Sequence, residues 1–180
     1  MLIDDRKLPL CLVLLVILLG NNAYANTLCV NGNENSAIAA TTPTADFSDN
    51  GDGTVTHHKT GLIWQRCSLG QSWNGSDCTG EATTFIWADA LAAAAQNTFA
   101  GLSDWRLPNK NELASIVEYR CWNPAINSLF FLNTPSALYW SSSAYANSSR
   151  YAWGVSFYGV GSSHSSKSDY YHVRLVRDAN

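Results

Sequence analysis

The distribution of cysteines constrains the fold of this 180-residue chain most, and one of the five lies in a segment that we expect the mature protein to lose. In residues 1–25, Arg6 and Lys7 precede the apolar run Leu8 to Leu19, and the segment ends at Ala23-Tyr24-Ala25. This is the pattern of a secretory signal peptide with a small-residue cleavage site. The apolar run is shorter than the ~20 residues that span a membrane. We therefore predict removal of residues 1–25, which include Cys11, and no transmembrane segment in the mature chain.

An even number of cysteines then remains, which in an exported protein favours two disulfides; they are Cys29, Cys67, Cys78 and Cys121. Four cysteines allow three pairings. We favour Cys67 with Cys78, which closes a short loop and leaves Cys29 with Cys121. A zinc site is the alternative, but the spacing lacks a C-x-x-C pair. Disulfides require oxidising surroundings, so we predict a protein exported to the cell surface, the extracellular medium or the periplasm.

The remaining ~155 residues suit one domain with a sizeable core. Residues 26–45 are small, polar and poor in large apolar side chains, which predicts an N-terminal leader held mainly by Cys29. The folded domain is predicted to occupy residues 46–180. The formal net charge is −3 and no basic stripe is present, so nucleic acid is not a predicted partner.

A dense turn signal, Asp49-Asn50-Gly51-Asp52-Gly53, lies between Phe47 and Val55 and predicts a hairpin, because its glycines allow positive φ. A further strand is predicted at Thr60 to Trp64. The two carboxylates of the turn also suggest calcium, but an EF-hand register would put Lys59 at the position of the bidentate ligand. We therefore favour a plain turn and predict no metal site.

Two helices are predicted. The first covers Glu81 to Asn97, whose alanine-rich centre has high helix propensity. The second starts at Asn109, where Glu112 three residues later completes a capping box. On this interpretation Glu112 and Glu118 are charges on the helix surface and not a catalytic acid pair.

After Asn123-Pro124 the pattern changes to strands with a period of two. In one strand Trp153, Val155 and Phe157 share a face, and Ser156 and Tyr158 share the other. In the final strand three apolar positions alternate with polar or aromatic positions that we expect to face outward, namely Tyr170, His172 and Arg174.

Residues 136–172 contain 12 serines and six of the eight tyrosines but only three charged side chains. Tyrosine offers rigid amphipathic area and serine offers adaptable hydrogen bonding, the mixture found in antibody paratopes. This composition predicts a contact surface. A solvated hairpin region with a polar face is the simpler alternative, because loops are generally polar.

Catalysis is poorly supported by the sequence. No Gly-x-Ser-x-Gly elbow is present, and the four histidines are His57, His58, His164 and His172. We expect His57 and His58 to lie in an exposed hairpin and the other two to lie in the serine-rich region. Without a nucleophile, a base and an orienting group in a recognisable pattern, we predict no enzyme activity, no catalytic residue and no cofactor.

Several segments in a fixed order resemble the C-terminal domain family of the Legionella collagen-like adhesin over about residues 46–177. The matching segments are Asp49-Asn50-Gly51-Asp52-Gly53-Thr54-Val55-Thr56, Thr60-Gly61-Leu62-Ile63-Trp64-Gln65, Trp105-Arg106-Leu107-Pro108-Asn109, Tyr139-Trp140-Ser141-Ser142-Ser143 and Val173-Arg174-Leu175-Val176-Arg177. The resemblance implies an α+β, C-type-lectin-like fold with two helices packed on small antiparallel sheets, rich in loops and disulfide-bonded. Formylglycine-generating enzymes and the variable proteins of diversity-generating retroelements share that fold.

The resemblance to the retroelement proteins implies a contact surface in the residues that precede the closing strand. The candidate ligand-binding residues are Tyr145, Asn147, Ser149, Arg150, Tyr151, Ser156, Tyr158, Ser163, His164, Ser165, Ser166, Asp169, Tyr170 and His172. The implied scaffold residues are Trp140, Trp153, Phe157, Val173 and Val176. The resemblance thus implies a secreted binding module whose C-terminal region retroelements diversify.

This chain differs from the related proteins in features that reduce the range of ligands we expect it to bind. It lacks collagen repeats and a basic patch, and it has only Leu107-Pro108-Asn109 and Trp122-Asn123-Pro124 where calcium-dependent lectins carry sugar-chelating motifs. We therefore predict a secreted or surface-displayed adhesin or receptor that recognises a protein or glycan ligand on another cell or surface. The alternatives are a structural subunit of a surface or envelope assembly and, third, an oxidoreductase. The sequence leaves oligomerisation open.

Overall fold

A computed structural model describes residues 28–159 and 161–179, which contain two α-helices and eleven short strands. The predicted signal peptide and the first residues of the predicted leader lie outside the described residues. The helices are α1 (Trp87–Ala95) and α2 (Lys110–Ala114). The strands are β1 (Phe47–Asp49), β2 (Thr54–His57), β3 (Leu62–Gln65), β4 (Ser72–Trp73), β5 (Cys78–Thr79), β6 (Thr84–Phe85), β7 (Leu138–Ala144), β8 (Tyr151–Ser156), β9 (Gly161–Ser166), β10 (Tyr171–His172) and β11 (Val176–Asp178).

The strands form three sheets. One has the order β1-β2-β3-β11 and the largest has the order β6-β10-β7-β8-β9, while β4 and β5 form a two-stranded ribbon. All pairs are antiparallel except β10 with β7, which is parallel. The predicted α+β class with two helices and small, mainly antiparallel sheets is therefore confirmed.

Two apolar cores hold the sheets together. The first joins the four-stranded sheet to one face of the five-stranded sheet through side chains such as Trp64, Tyr139 and Val155. The second lies under α1 and includes Ala90 and Trp140. Because the five-stranded sheet contributes to both cores, its two faces are fixed and its strand register is specified.

The predicted hairpin is confirmed by β1 and β2, which pair on either side of the Asp-rich turn. The aspartate carboxylates of the turn accept hydrogen bonds from its own backbone. Asp49 accepts a hydrogen bond from the Gly51 N–H at 2.9 Å, and Asp52 accepts from the Thr54 N–H at 2.9 Å. The second oxygen of Asp49 pairs with Arg66. These carboxylates therefore have defined structural roles within the turn.

The two helices were predicted with unequal accuracy. The prediction of a helix from Glu81 is wrong at its start, because Thr84 and Phe85 pair with His172 and Tyr171 in the sheet. The start of α2 is confirmed: Asn109 accepts from the Glu112 N–H at 2.9 Å, and the Glu112 carboxylate accepts from the Asn109 N–H at 2.7 Å. No helix in the described part of the chain is long and apolar enough to cross a membrane.

Two polar residues predicted at the surface are buried instead. His57 is 1 % exposed, and its ring stacks on Phe47 with centroids 4.6 Å apart and meets the Thr60 hydroxyl at 3.0 Å. His58 remains exposed as predicted. Glu118 lies beyond the end of α2 and is fully buried, so its assignment to a helix surface is wrong.

The final strand is also interrupted. Val173 to Leu175 separate β10 from β11, and Arg174, predicted to face outward, is fully buried. Its guanidinium donates to the carbonyl oxygens of Gln65 and Arg66, and to the hydroxyls of Ser68 and Thr134 at 3.2 and 2.7 Å. Hydrogen-bond acceptors from distant parts of the chain therefore surround the Arg174 guanidinium, where the alternating pattern had predicted exposure to solvent.

Both preferred disulfides, Cys67–Cys78 and Cys29–Cys121, are confirmed. The N-terminal segment has a second attachment besides Cys29. Glu118 accepts hydrogen bonds from the N–H groups of Thr41 and Thr42, at 3.0 and 2.7 Å, and also from both threonine hydroxyls. A single buried carboxylate thus fixes the end of this segment to the domain.

Glu118 predicts an acid-dependent loss of stability. Burial raises its pKa, but hydrogen bonds from the backbone of Thr41, Arg120 and Thr42 outweigh burial and lower the pKa below the ordinary 4.5. Its stabilisation is therefore full above about pH 4.5 and is lost as the pH falls through the lower folded-state value. We expect Glu118→Gln to reduce the free energy of unfolding at pH 7 by about 1–3 kcal/mol.

The measurement is chemical denaturation of both proteins between pH 3 and 7. The difference between wild type and E118Q should shrink on acidification. Glu81→Gln is the matched control, because Glu81 is exposed and its variant should follow the wild-type profile. A constant difference between wild type and E118Q across this range would contradict the assignment.

Candidate ligand-binding surface

The hairpin formed by β7 and β8 positions the central aromatic residues of the predicted surface. The Tyr145 N–H donates to the Tyr151 carbonyl at 3.0 Å, and the turn is closed by the Tyr151 N–H, which donates to the Ser148 carbonyl at 3.3 Å. The register of β7 shifts between Trp140 and Ala144. Such an irregularity increases local twist and can redirect side chains at a sheet edge.

Four aromatic rings gather beside this turn, and we call them the ring cluster: Tyr145, Tyr151, Trp153 and His164. Tyr145 and His164 are stacked, with centroids 4.1 Å apart and an interplanar angle of 6°. Trp153 meets both of these rings edge-on at 5.6 Å. Tyr151 lies edge-on to His164 at 5.6 Å and to Tyr145 at 6.5 Å. The edge-on contacts fall within the centroid distances of about 4.5–7 Å that favour aromatic pairs.

Strand pairing explains why these rings share a face. Trp153 of β8 lies opposite His164 of β9, and directly opposite residues in an antiparallel pair point to the same side. Tyr151 is two residues from Trp153 and therefore lies on that same face. Val155, two residues further along, is buried in the first core. One face of β8 thus changes from core to surface along its length.

Helix α2 supplies the cationic group next to the ring cluster. The Lys110 ammonium lies 4.5 Å from the centroid of the Trp153 ring, a cation–π geometry. The Lys110 N–H donates to the Ser143 hydroxyl at 3.0 Å, which fixes the first turn of the helix to β7. The capping box of α2 therefore also determines where this charge sits.

The rim of the ring cluster offers small polar groups. The Asn147 amide donates to the Tyr145 hydroxyl at 3.4 Å, and Asn147, Ser149 and Arg150 are exposed. Ser166 is half-buried opposite Tyr151. Rigid aromatic area surrounded by amide, hydroxyl and guanidinium groups can bury an apolar patch of a ligand and orient its polar groups.

Other predicted residues lie elsewhere. Ser156 is five residues from Tyr151 along β8, roughly 17 Å at ~3.3 Å per residue, and Tyr158 lies beyond it. Tyr158 and Tyr170 are 68 % and 67 % exposed, and neither makes a ring contact within the described residues. The predicted surface is therefore divided, with the ring cluster at one end of β8 and Tyr158 at the other.

Three further predicted residues lie on other faces, and one occupies a turn. Ser163 and Ser165 alternate with His164 along β9 and so point to the opposite side of the sheet. His172 is half-buried beside Tyr139, with ring centroids 5.4 Å apart. Burial lowers the pKa of His172, and this effect exceeds the opposite effect of a hydrogen bond with the Thr83 backbone. Asp169 follows β9 in a turn, where its N–H donates to the Ser166 carbonyl.

Neither Trp153 nor Lys110 was predicted as a contact residue. Trp153 is half-buried and belongs to the ring cluster as well as to the scaffold. The signal for it was present, because Tyr151 and Trp153 are two residues apart in one strand. Lys110 had no such signal, since only the packing of α2 against β8 brings it to the ring.

Two open clefts of about 490 and 480 Å³ lie away from the ring cluster and meet at Asn109 and Glu112. The polar group between them is an ion pair, in which Arg106 donates to both Glu112 oxygens at 2.8 and 3.0 Å. The hydrogen bond to Glu112 raises the pKa of Arg106. Burial lowers this pKa, but the hydrogen bond to Asp178 adds to the effect of Glu112, so the net shift is upward. Because Arg106 already pairs with the carboxylates of both Glu112 and Asp178, the ring cluster is the better candidate for ligand contact.

The sequence model of the Lcl C-terminal domain family matches residues 53–177. The match includes all four members of the ring cluster and the strands β7, β8 and β9 that position them. No curated protein matches the chain.

A double-mutant cycle tests the geometry of the ring cluster. We expect Tyr145→Ala and His164→Ala to be non-additive in the free energy of unfolding, with a coupling of about 0.5–1.5 kcal/mol, because their stacked rings contribute beyond simple burial. Tyr158→Ala combined with His164→Ala is the control and should give a coupling near zero. Additive effects for the first pair in chemical denaturation would contradict the stacking.

Proposed function

Because this chain belongs to the Lcl C-terminal domain family, we propose that it is an adhesin-like surface protein that captures a protein or glycan ligand through the ring cluster. The single observation that carries this proposal is the association of four rings and one ammonium group at an exposed hairpin. Aromatic side chains dominate the energetics of binding surfaces, where they bury large area with few rotatable bonds.

We propose binding and not catalysis as the role of this surface. In the described part of the chain, the only direct serine–histidine hydrogen bond joins Ser48 and His58 at 2.9 Å on an exposed strand. No carboxylate within those residues is hydrogen-bonded to the His58 ring. Hydrolytic triads need such an orienting group to hold the base in the correct tautomer. In the ring cluster, His164 is instead packed face to face with Tyr145.

The fold and the location are proposed on the same basis. The α+β architecture, with helices packed on small antiparallel sheets, supports the C-type-lectin-like fold that the family resemblance implies. The two disulfides fit an exported protein, since such bonds persist in oxidising compartments. We propose display at the cell surface, where the ring cluster can meet a ligand.

Tyr151 and Tyr158 provide a matched pair of variants for the binding proposal. Both are exposed tyrosines next to or within β8, but only Tyr151 belongs to the ring cluster. We expect Tyr151→Ala to weaken ligand capture by about tenfold or more, the effect of losing an energetically important interface residue. Tyr158→Ala should bind as the wild type does. Retention of labelled protein on arrays of glycans and extracellular proteins provides the measurement.

The thermal melting temperature separates binding from folding in this experiment. Both variants should melt within a few degrees of the wild type, because neither creates a large core cavity. Equal loss of capture in the two variants would place ligand contacts along the whole strand. Unchanged capture by Y151A, with the fold intact, would refute a role for the ring cluster.

We further propose that a retroelement diversifies the residues of this surface. The support is compositional, since Ser, Tyr and His recur at the exposed positions of β9 and the flanking turns. The genomic neighbourhood tests this directly. A reverse transcriptase gene beside a near-copy of the codons for residues 139–177, differing at adenines, is the expected finding. Its absence would indicate a fixed binding surface.

A further inference from the structure

Strand β9 forms an unprotected edge of the five-stranded sheet. Within the described residues it pairs only with β8, in an uninterrupted register from Gly161 to Ser166. Its sequence, Gly-Ser-Ser-His-Ser-Ser, contains no proline and no charged residue, and its first four residues are exposed. Proteins usually protect such an edge with lysine, proline or a bulge, because its free backbone groups can pair with another strand. This edge has none of these features.

Hydrogen bonding determines which backbone groups of β9 are free. The Tyr145 N–H donates to the Tyr151 carbonyl, so the odd-numbered residues of β8 direct their backbone groups toward β7. The even-numbered residues Ala152 and Gly154 therefore bond to their partners Ser165 and Ser163 in β9. By the same alternation, the N–H and C=O groups that point away from the sheet belong to Ser162, His164 and Ser166.

We propose that the partner of this edge is β9 of a second copy of this chain, paired antiparallel about a two-fold axis at His164. In this register His164 lies opposite His164 of the second copy, and Ser162 lies opposite its Ser166. Every outward backbone group then meets an outward group of the other copy, as a hydrogen-bonded ladder requires. The carbonyl of Ser166 also accepts the Asp169 N–H, and a carbonyl oxygen can accept two such bonds.

Side chains are compatible with this pairing. Small serines face serines across the ladder. Like charges directly opposite each other would destabilise the pairing, and the ladder contains no such pair. Pairing about this axis also keeps the same face of both sheets on the same side. The two ring clusters would therefore lie next to each other across the axis, forming one surface from two copies. The inference concerns self-association and does not rest on the proposed ligand function.

Two charge variants of the secreted form test both the pairing and its register. In S162K/S166K each new lysine faces a lysine of the other copy, and in S162K/S166D each lysine faces an aspartate. We expect the wild type to dimerise with rising concentration and S162K/S166K to dimerise at least about tenfold more weakly than S162K/S166D at low salt. Sedimentation equilibrium measures the mass, and thermal melting confirms that both variants fold.

Each other outcome would overturn the inference. A wild type that remains monomeric at all concentrations would exclude the pairing. Equal dimerisation of the two variants would exclude this register, because in a ladder centred on Ser163 the residue at position 162 faces His164 and not position 166. Ser163→Lys serves as a further control. Its side chain points to the other face and lies opposite Ser165 of the second copy, so dimerisation should persist.

Discussion

The buried guanidinium of Arg174 is the interaction on which most of this structure depends. It lies between the two larger sheets, over the Phe131 ring at 4.9 Å from the centroid. It donates to backbone carbonyls at the end of β3 and to hydroxyls from two loops. No carboxylate is among its hydrogen-bond partners within residues 28–159 and 161–179. Burial lowers the pKa of Arg174, yet an arginine starts so high that it remains charged. Because a buried charge without acceptors is very unfavourable, the surrounding carbonyls and hydroxyls must keep their positions for the fold to persist.

This constraint extends to the ring cluster through the sheet. Ser68, which receives a hydrogen bond from Arg174, also bonds to the Tyr139 hydroxyl at 2.8 Å. Tyr139 lies near the start of β7, and Tyr145 directly follows the last residue of that strand. The same face of the sheet that is core at Tyr139 and Val155 is surface at Tyr151 and Trp153. The tyrosine rings of the surface are therefore continuous with a rigid interior, which would limit the conformational entropy lost in the proposed ligand binding.

Local signals in the sequence predicted local features well. The Asn109–Glu112 capping box, the Asp-rich hairpin and the short-loop disulfide each depend on residues close together in the chain, and all three are confirmed.

Predictions failed where distant residues decide the outcome. Thr84 and Phe85 are in a strand because β10 pairs with them, and Arg174 and Glu118 are buried because acceptors or donors from remote segments satisfy them. The composition of residues 136–172 indicated a contact surface, but only strand register shows which tyrosines share a face and where Lys110 joins them.

The Cys29–Cys121 bridge determines how this domain would carry mechanical load. Its two cysteines are 92 residues apart, and the candidate surface lies C-terminal to Cys121. Tension applied through the chain before Cys29 and resisted by a ligand at Tyr151 would pass across the sulfur–sulfur bond and then along residues 122–137 to the strands β7 and β8. The intervening polypeptide, with β1 to β6 and both helices, lies outside that covalent path. The crosslink thus acts as a mechanical bypass for residues 30–120, and the load passes only through that part of the first core which follows Cys121.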